Sequence, residues 1–262
     1  MDMKIFQRFL IILILLVVAV TTYGLEVRDK YVVPIVTYHK IETDSHPDHL
    51  LIVTTEHFEQ LMSFLKEKKY NVISLDELVT SIRNKKSLPR NSVVLTFDDG
   101  SVDNYENAFP ILKKYGFPAT IFITPRLIGR KGYLSWDQIK EMDKAGIVFG
   151  SHTLSHVYLP GVSRGKQKQE VYVSKKIIER RLGHSINHFC YPKGGFTDEI
   201  KGFVRQAGYQ SASTTNRGYD RYNRDVYELK RIRFSNKYTT PFVFWAKLSG
   251  YYNLFKKPTS PY

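Results

Sequence analysis

The sequence predicts an α/β protein with a parallel sheet, arranged as a closed or nearly closed (β/α) barrel. Two observations favour this class: short apolar strand-like segments alternate with amphipathic helical segments about seven times, and no linker interrupts the alternation. A doubly wound open sheet is the alternative. The chain is 42% hydrophobic and 24% charged, which is a globular balance. Wholesale disorder and a polytopic membrane protein are therefore excluded.

Each predicted strand is a short apolar run rich in β-branched or aromatic residues, a composition that fits a buried pleated surface. The predicted strands are residues 32–38, 71–74, 93–97, 119–124, 147–151, 188–191, 210–214 and 229–234. Polar or turn-forming residues separate each of these runs from the following helical segment. The arrangement is that of successive β-α units.

Each predicted helix carries apolar residues at helical spacing or a recognisable end signal. The predicted helices are residues 55–69, 75–82, 104–115, 135–145, 166–182 and 197–207. In the first, Phe58, Leu61 and Leu65 share one face. Gly116 ends the third, and Ser135 opens the fourth with a capping box.

The N-terminus is a targeting segment rather than part of the fold. Lys4 and Arg8 precede an apolar run at 9–20, which is short for a membrane span and typical of a secretory signal peptide. An uncleaved signal anchor is the competing interpretation, and either one places the rest of the chain outside the cytoplasm. We expect a targeting segment at 1–25, one domain at 26–250, and a loosely ordered basic tail at 251–262.

The charge of the chain is concentrated in its second part. The net charge is +14; residues 1–160 hold 19 Lys and Arg against 18 Asp and Glu, whereas residues 161–262 hold 20 against 7. Such a basic half indicates an anionic partner, which could be nucleic acid, a membrane surface or a polymer; solubility alone is the other interpretation. The single cysteine, Cys190, excludes an internal disulfide and argues against a cysteine-based metal site.

Polar side chains follow four of the predicted strands. His39 follows the first, Asp98 and Asp99 follow 93–97, His152 and His156 follow 147–151, and a Pro-Lys-Gly-Gly turn follows Tyr191. The carboxyl ends of parallel strands meet at one face of a barrel, where active sites form. We therefore expect these groups to converge.

Two histidines and a carboxylate predict a metal site. His152 and His156 are four residues apart, so one helical turn after the strand would align both imidazoles, and a strand-end carboxylate would complete a triad with open coordination positions. A pair of satisfied loop histidines is the alternative. The second such pair, His184 and His188, lies across a loop and a strand, and we interpret it as surface and strand packing.

The adjacent carboxylates Asp98 and Asp99 predict divided chemical roles. Like charges side by side repel each other, and neither residue favours a strand. One could bind the metal while the other accepts a proton from water. A helix N-cap is the alternative, although a single aspartate suffices for a cap.

These residues are similar to a known family. Thr96–Gly100 and Ser151–His156 resemble the first two motifs of the polysaccharide deacetylases, the NodB-like domain of carbohydrate esterase family 4, and the resemblance covers roughly residues 31–240. It implies a distorted (β/α)7 barrel that removes N-acetyl or O-acetyl groups from peptidoglycan, chitin or poly-N-acetylglucosamine. It also implies Asp98 as catalytic base, and Asp99, His152 and His156 as ligands of a divalent metal, usually zinc.

Two motifs depart from the common family pattern. No Arg precedes Pro192, and the late Leu-x-His motif reads Leu229-Lys230-Arg231. Both departures resemble a subgroup that includes poly-N-acetylglucosamine deacetylases and carries an early Pro-x-x-x-Tyr-His stretch, matched here by residues 34–39. That resemblance implies His39 as general acid, acting as imidazolium, and Arg231 as the residue that holds Asp98. A salt-bridged strand-end Arg is the other interpretation of Arg231.

The same resemblance assigns groups around the substrate. Tyr191, Pro192 and Lys193 would form the oxyanion side, with the backbone N–H of Lys193 as donor. Leu229 would line the pocket for the acetyl methyl group. Tyr38 and Trp136 are candidates for sugar stacking, but core packing is the role we expect for each of them.

The expected function is metal-dependent removal of acetyl groups, above all N-acetyl groups of N-acetylglucosamine, from a cell-envelope or extracellular polysaccharide. The N-terminal segment and the basic half would contact the membrane or an anionic envelope. Three alternatives stay open: a membrane-tethered glycan-binding pseudoenzyme, a different metal hydrolase, and a nucleic-acid or anionic-membrane binder. The outward location counts against nucleic acid, so we expect no nucleic-acid partner.

Overall fold

The computed structural model describes residues 11–18, 31–44, 50–236, 240–252 and 259–261. Residues 11–18 are helical (α1), and their apolar side chains are exposed. Within the described residues, no helix is both long and apolar enough to span a membrane. Most of the predicted targeting segment, residues 1–25, lies outside the described residues.

The strands are short, and half of them are buried along their whole length. They are β1 Ile35–Tyr38, β2 Lys40–Glu42, β3 Ile52–Thr54, β4 Asn71–Val72, β5 Ser92–Phe97, β6 Thr120–Ile123, β7 Val148–Ser151, β8 His188–Cys190, β9 Ser211–Ser213 and β10 Ile232–Arg233. Burial on both faces agrees with near-continuous apolar strands of a parallel sheet covered by helices.

The helices fall between the strands, as the alternation predicts. They are α2 Thr55–Glu67, α3 Leu75–Arg83, α4 Phe109–Tyr115, α5 Trp136–Lys144, α6 Arg164–Leu182, α7 Asp198–Gln206 and α8 Pro241–Leu248. A π-helical segment, Asn104–Ala108, precedes α4, and short 3-10 turns occupy Leu159–Gly161 and Pro192–Gly194. The capping box between Ser135 and Gln138 is present at the start of α5.

The sheet is parallel and curled into a half-barrel. Its strand order is β10-β1-β5-β6-β7-β8-β9, with β4 paired to β5 at the side. Near the open seam, the segment before β10 reaches back to β9, since Leu229 N–H donates to Ala212 O at 2.9 Å and Arg231 N–H donates to Thr215 O at 2.9 Å. The barrel-type fold predicted from the alternation is confirmed.

Three parts of the chain differ from the sequence expectation. The strand expected at 229–234 is reduced to β10, because residues 229–231 bond to the β9 edge instead of to β1. The helix expected at 104–115 begins as a π-helix, because Pro110 has no N–H to donate to the carbonyl of Glu106. The small sheet β2-β3 and helix α8 were not expected.

The core has two parts, one on each face of the curled sheet. Val36, Leu95 and Ile121 face the surrounding helices in the larger cluster, whereas Ile35 and Val94 belong to the second cluster. Neighbouring strand residues enter different clusters because successive side chains point to opposite faces. The second cluster also contains Cys190 and Leu229, which places the site described below directly beside apolar packing.

Of the two aromatic residues considered for sugar stacking, Tyr38 is buried and Trp136 is partly buried. Tyr38 is 2% exposed, and its ring lies 5.2 Å from that of Phe58. The core packing expected for Tyr38 is therefore confirmed, and the stacking alternative is wrong, because β1 is buried along its whole length. The ring of Trp136 packs against the core and carries the guanidinium of Arg181 at 5.3 Å.

The described part of the C-terminal tail makes backbone contacts with the domain. Gly218 N–H donates to Thr259 O at 2.9 Å, and Phe196 N–H donates to Pro261 O at 2.8 Å. These bonds bring residues 259–261 against the loops that follow β8 and β9.

Candidate active site

Three strand ends bring the predicted acids and imidazoles together. Asp98 and Asp99 follow β5, His39 follows β1, and His152 follows β7, all at the carboxyl edge of the sheet. Pairing of β1 with β5, and the path from β5 through β6 to β7, set the order of these residues around the rim.

Asp98 is held by Arg231 in a buried, two-pronged ion pair. Arg231 Nη1 donates to Asp98 Oδ1 at 2.7 Å and Nη2 donates to Oδ2 at 2.6 Å, while Nε donates to Thr214 O at 2.9 Å. Burial alone would raise the pKa of Asp98, but the charge and hydrogen bonds of Arg231 outweigh it and hold that pKa well below its usual range. Asp98 is therefore ionised throughout the neutral range.

The lone thiol completes the surroundings of this pair. Cys190 Sγ lies 3.1 Å from Arg231 Nη2 and 3.7 Å from Asp98 Oδ1. Burial raises the pKa of Cys190 well above its ordinary value, so the thiol stays protonated. Arg231 also has the ring of Phe122 at 5.6 Å, which leaves the guanidinium enclosed on all described sides.

Asp99, His152 and His156 form a second, more open cluster. The Nε2 atoms of His156 and His152 lie 3.2 and 3.5 Å from Asp99 Oδ1. That oxygen is buried, yet no described residue gives it a well-aligned hydrogen bond. One carboxylate oxygen of Asp99 and one ring nitrogen of each imidazole lie close enough together to hold one ion.

The tautomer of His152 indicates why this cluster suits a cation. His152 Nδ1 is 2.8 Å from Cys190 O, and a carbonyl can only accept, so Nδ1 carries the hydrogen. Burial lowers the pKa of His152, which leaves Nε2 as a lone pair aimed towards a carboxylate oxygen. Two acceptors that face each other in this way fit a divalent metal between them.

The partners of this triad titrate in opposite directions. The contact with Asp99 raises the pKa of His156, which is partly exposed. Burial would raise the pKa of Asp99, but the contact with His156 and the charge of His152 lower it overall. Asp99 is therefore ionised, and a metal would be held by this negative carboxylate together with both imidazoles.

The two metal-type histidines converge through a strained turn, not through a helix. The segment from His152 to His156 is a turn, and Thr153 and His156 have φ values of 65° and 60°. His156 N–H donates to Thr153 Oγ1 at 3.0 Å. The expected convergence is present, but the helical turn proposed for it is wrong, because these left-handed residues curl the chain more tightly than a helix does.

His39 lies beside the buried ion pair. Its Nε2 is 3.8 Å from Asp98 Oδ2, and Asn104 Nδ2 donates to the carbonyl of His39 at 2.9 Å. Burial lowers the pKa of His39 despite the opposing charges of Asp98 and Asp99. The imidazole is thus neutral near pH 7, in contrast to the imidazolium expected from the reference pKa.

The turn after β8 offers backbone rather than side chains to a substrate. Tyr191 is buried, and its hydroxyl donates to Tyr227 O at 3.0 Å, so only its main chain remains for the predicted oxyanion side. Lys193 has a φ of 55°, and Gly194 has a φ of 72° in close contact with Thr215. A Cβ at Gly194 would lie 2.3 Å from Thr215 Oγ1, so this turn requires glycine. Pro192 and Leu229 are also buried, the latter in the same cluster as Cys190.

The second histidine pair is occupied by structural contacts, as interpreted from the sequence. His184 Nε2 lies 3.0 Å from Asp143 Oδ2, and His188 Nδ1 lies 2.9 Å from Ser211 Oγ. Within the described residues, neither belongs to a cluster that could hold a metal.

Two supporting residues were not expected from the sequence. Asn104 contacts the His39 carbonyl from the π-helical segment. Glu170 of α6 binds Ser155 within the turn from His152 to His156, called the metal-type turn below. Asn104 stood only as the first residue of a helix, and Glu170 as one acid in a basic helix. An asparagine shortly after Asp98-Asp99 and an acid within a basic helix were the signals available.

A protein-family profile covers the central part of the chain. The profile described as "Polysaccharide deacetylase" matches residues 85–212, which include the strand-end motifs after β5 and β7.

Two curated relatives match across most of the domain. A Bacillus subtilis (strain 168) protein, YxkH, whose name assigns it to the polysaccharide deacetylases, is 35% identical over 202 residues, or 77% of this chain and 71% of that protein. The poly-β-1,6-N-acetyl-D-glucosamine N-deacetylase of Staphylococcus aureus (strain MSSA476) is 29% identical over 198 residues, or 70% of this chain and 68% of that enzyme.

Solved structures share the architecture. The deacetylase PplD of Streptococcus pyogenes, in complex with acetate, matches with a TM-score of 0.76 and 30% identity over 82% of this chain and 97% of that one. IcaB of Ammonifex degensii matches with a TM-score of 0.71 over 85% of this chain and 97% of that one, and its 24% identity shows the fold alone. By its identity to the Bacillus relative, together with the matching profile, this chain belongs to the polysaccharide deacetylase family.

Proposed function

We propose that the protein removes N-acetyl groups from N-acetylglucosamine units of a cell-envelope or extracellular polysaccharide, with a divalent metal, and releases acetate. One observation carries the proposal. Asp99 Oδ1, unbonded and buried, faces the Nε2 atoms of His152 and His156 directly beside an ionised Asp98. Metal-assisted hydrolysis of an amide needs ligands for the metal and a base that accepts a proton from water. The triad would supply the ligands, and the fixed Asp98 carboxylate would supply the base.

Asp99, His152 and His156 would hold the metal. Zinc is the metal proposed first, since two imidazoles and a carboxylate that leave positions open are typical of catalytic zinc, although other divalent transition metals suit the same donors. When bound, it would polarise the acetyl carbonyl and bring the pKa of water towards neutrality.

Asp98 and His39 would move the protons. Asp98 would accept a proton from the attacking water, and its low pKa would make it give that proton up to His39, 3.8 Å away. His39, neutral at the start, would then deliver the proton to the departing sugar amine. One proton thus leaves water and one reaches nitrogen, and Arg231 keeps the carboxylate oriented throughout.

The backbone N–H of Lys193 is proposed to face the oxyanion that develops on the carbonyl. The left-handed conformation of Lys193 turns its peptide away from the strand direction of β8. Tyr191 and Pro192 would shape this side through their main chain and ring, and Leu229 would line the space for the acetyl methyl group. Donors fixed in advance cost no reorganisation during the reaction.

Relatives support a glucosamine polymer as substrate. The Staphylococcus aureus relative is named for poly-β-1,6-N-acetyl-D-glucosamine, and the Streptococcus pyogenes structure was solved with acetate, which is the leaving acid proposed here. Those names describe the relatives, and for this chain the polymer is a proposal.

An extracytoplasmic location is also proposed, with the N-terminal segment as a signal peptide or anchor. A cleft near the beginnings of β1 and β5 supports contact with an anionic membrane or envelope, since Lys85, Lys86, Arg90 and Arg224 line it. No acidic side chain in the described parts of the chain pairs with these four. The cleft lies at the strand ends opposite to Asp98, so a docked envelope would leave the active face open.

Acetate release from defined glycans tests the proposal. Full-length protein would be incubated with oligomers of poly-β-1,6-N-acetylglucosamine, chitin oligomers and peptidoglycan, with a chelator and then with added zinc. We expect release from at least one polymer, loss with the chelator and recovery with zinc. A zinc-loaded protein that binds glycan and releases no acetate would be the pseudoenzyme instead, and acid release from a non-acetylated substrate would indicate a different metal hydrolase.

A further inference from the structure

Helix α6 carries a buried carboxylate that the proposed reaction does not use. Glu170 has a fully buried side chain, and both of its oxygens are directed at Ser155. Ser155 N–H donates to Oε2 at 2.8 Å, and Ser155 Oγ donates to Oε1 at 2.6 Å. Ser155 lies between the two histidines of the metal-type turn.

The turn that Glu170 binds has an unfavourable backbone. Thr153 and His156 both have positive φ values, and Thr153 is β-branched, a residue type that avoids this region. Such residues persist only where surrounding contacts determine them. Ser155 N–H would face the interior without a partner if the Glu170 carboxylate were absent.

The same face of α6 holds the chain on both sides of the turn. Before the turn, Ser151 Oγ donates to Ser174 Oγ at 2.8 Å. After it, Gln167 Nε2 donates to Leu159 O at 3.0 Å. Gln167, Glu170 and Ser174 are spaced three and four residues apart, so they lie on one helical face, with Glu170 in the middle.

The charge of Glu170 is balanced without weakening these bonds. Lys166 Nζ lies 3.0 Å from Glu170 Oε1, one turn earlier on α6. Burial would raise the pKa of Glu170, but Ser155 and Lys166 lower it overall, so the carboxylate is ionised and accepts both bonds.

We propose that Glu170 is a positioning residue that fixes the turn from His152 to His156 and thereby sets the metal affinity of the site. This inference rests on the proposed function only in that Asp99, His152 and His156 bind a metal. In the described structure, Glu170 bonds to none of the side chains of Asp99, His152 and His156. It acts through Ser155, as partners of metal ligands do when they orient those ligands.

Zinc affinity of the full-length protein, measured by competition with a chromogenic chelator, tests the proposal. Glu170→Ala should weaken zinc binding by about 10- to 100-fold, the range found when partners of metal ligands are removed. Glu170→Gln should stay within about threefold of the native affinity, because its amide oxygen can accept from Ser155 N–H while its NH2 donates to the hydroxyl. Ser155→Ala, which keeps the backbone bond, should fall between the two.

Glu179 provides the matched control on the same helix. Its Oε1 accepts from Ile186 N–H at 3.1 Å and pairs with Lys175 at 2.9 Å. Glu179 therefore also ties a loop to α6, but this loop is not the turn from His152 to His156. Glu179→Ala should lower thermal stability and leave zinc affinity unchanged. Equal zinc affinities for native protein and Glu170→Ala, or equal losses for the Ala variants at 170 and 179, would overturn the proposal.

Glu170→Gln and Ser155→Ala keep the question answerable if Glu170→Ala does not fold. A native-like affinity in Ser155→Ala together with a large loss in Glu170→Gln would contradict the proposed route through Ser155. A native protein that binds zinc but releases no acetate would overturn the proposed function while leaving the Glu170 comparison intact. A native protein that binds no divalent metal would overturn both.

Discussion

Asp98 and Asp99 are neighbours in the chain and opposites in their surroundings. Asp98 is buried, and both of its oxygens accept from Arg231. Asp99 keeps about a third of its side chain exposed, at 30%, and its Oδ1 faces two imidazoles with no aligned donor. The guanidinium of Arg231 neutralises the Asp98 carboxylate. No described lysine or arginine pairs with the Asp99 carboxylate in this way.

The backbone produces this difference. Asp98 continues the strand, since its N–H donates to Tyr38 O at 2.9 Å, and so its side chain stays among the sheet residues. Asp99 has a φ of 72°, which turns it out of the strand direction towards the β7 edge. Two identical side chains thus acquire different surroundings because the chain changes its direction between them.

The two aspartates should therefore fail in different ways when each loses its charge. Asp98→Asn should reduce acetate release by about 10²- to 10⁴-fold, the usual contribution of a general base, with zinc affinity close to native. Asp99→Asn should lose zinc affinity first, and its activity should return partly at high zinc. Paired measurements of acetate release and chelator competition check both variants.

Similar losses of zinc affinity in both variants would contradict this difference between the aspartates, because they would make Asp98 a ligand as well. His152→Ala serves as the reference for a lost ligand, since His152 lies 3.5 Å from Asp99 and has no contact of that kind with Arg231. Asp99→Asn should resemble this reference, and Asp98→Asn should not.

Arg231 should matter as much for folding as for chemistry. Removal of one partner from a buried ion pair leaves the other charge uncompensated, which typically costs about 3–5 kcal/mol of unfolding free energy. Arg231→Met should show a loss of this size in urea unfolding at pH 7. Arg205→Met is the control, because Arg205 also stacks on an aromatic ring, that of Tyr227, but pairs with no buried acid among the described residues.

A loss below about 1 kcal/mol for Arg231→Met would contradict an uncompensated charge at Asp98 in this variant. It would mean that Asp98 takes up a proton once Arg231 is gone. The pKa of Asp98 would then have risen, and the activity of this variant should recover as the pH rises.

Much of the fold and the site could be predicted from residue patterns. The β5 and β7 ends carry Asp98 and His152 directly after apolar strands, and parallel strands bring such ends together whatever the details of the loops. The turn from His152 to His156 could not be predicted, because its φ values depend on Glu170, fifteen residues away on another element. The contact of Asn104 could not be predicted for the same reason, since its partner His39 is 65 residues distant.

The pH dependence tests the neutral state of His39. Burial lowers its pKa below the reference value of about 6.5, so His39 is neutral above that value and can receive the proton that Asp98 gives up. We expect kcat/KM to be level between about pH 7 and 8 and to fall about tenfold per unit once the pH drops below the lowered pKa. Stopped assays with zinc content measured at each pH separate this fall from loss of metal.

The opposite slope would show that His39 must start as imidazolium. In that case kcat/KM would fall about tenfold per unit as the pH rises above the same pKa, and neutral pH would already be unfavourable. His39→Gln should remove whichever slope is observed. A slope that persists in His39→Gln would assign the titration to another group.

Asn104 should give the smallest effect, and it tests whether the His39 side of the site is positioned as firmly as the metal side. Its Nδ2 donates to His39 O at 2.9 Å and to Asp103 Oδ1 at 3.0 Å. Loss of such a bond is worth about 0.5–1.5 kcal/mol, so Asn104→Ala should lower kcat by about two- to tenfold with KM and zinc affinity unchanged. Steady-state kinetics on a defined oligomer measure this split.

Asn107 is the matched control, since its Nδ2 donates to Ile41 O at 2.7 Å from the same π-helical segment. Asn107→Ala removes a bond of the same kind to the adjoining strand β2, two residues beyond His39, and should lower thermal stability about as much as Asn104→Ala. If both variants lose kcat equally, the chain from His39 to Ile41 needs only to be attached, and no particular bond positions His39. If Asn104→Ala alone loses kcat, the π-helix holds the proton-carrying side of the site as α6 is proposed to hold the metal side, each through one side chain on a neighbouring element.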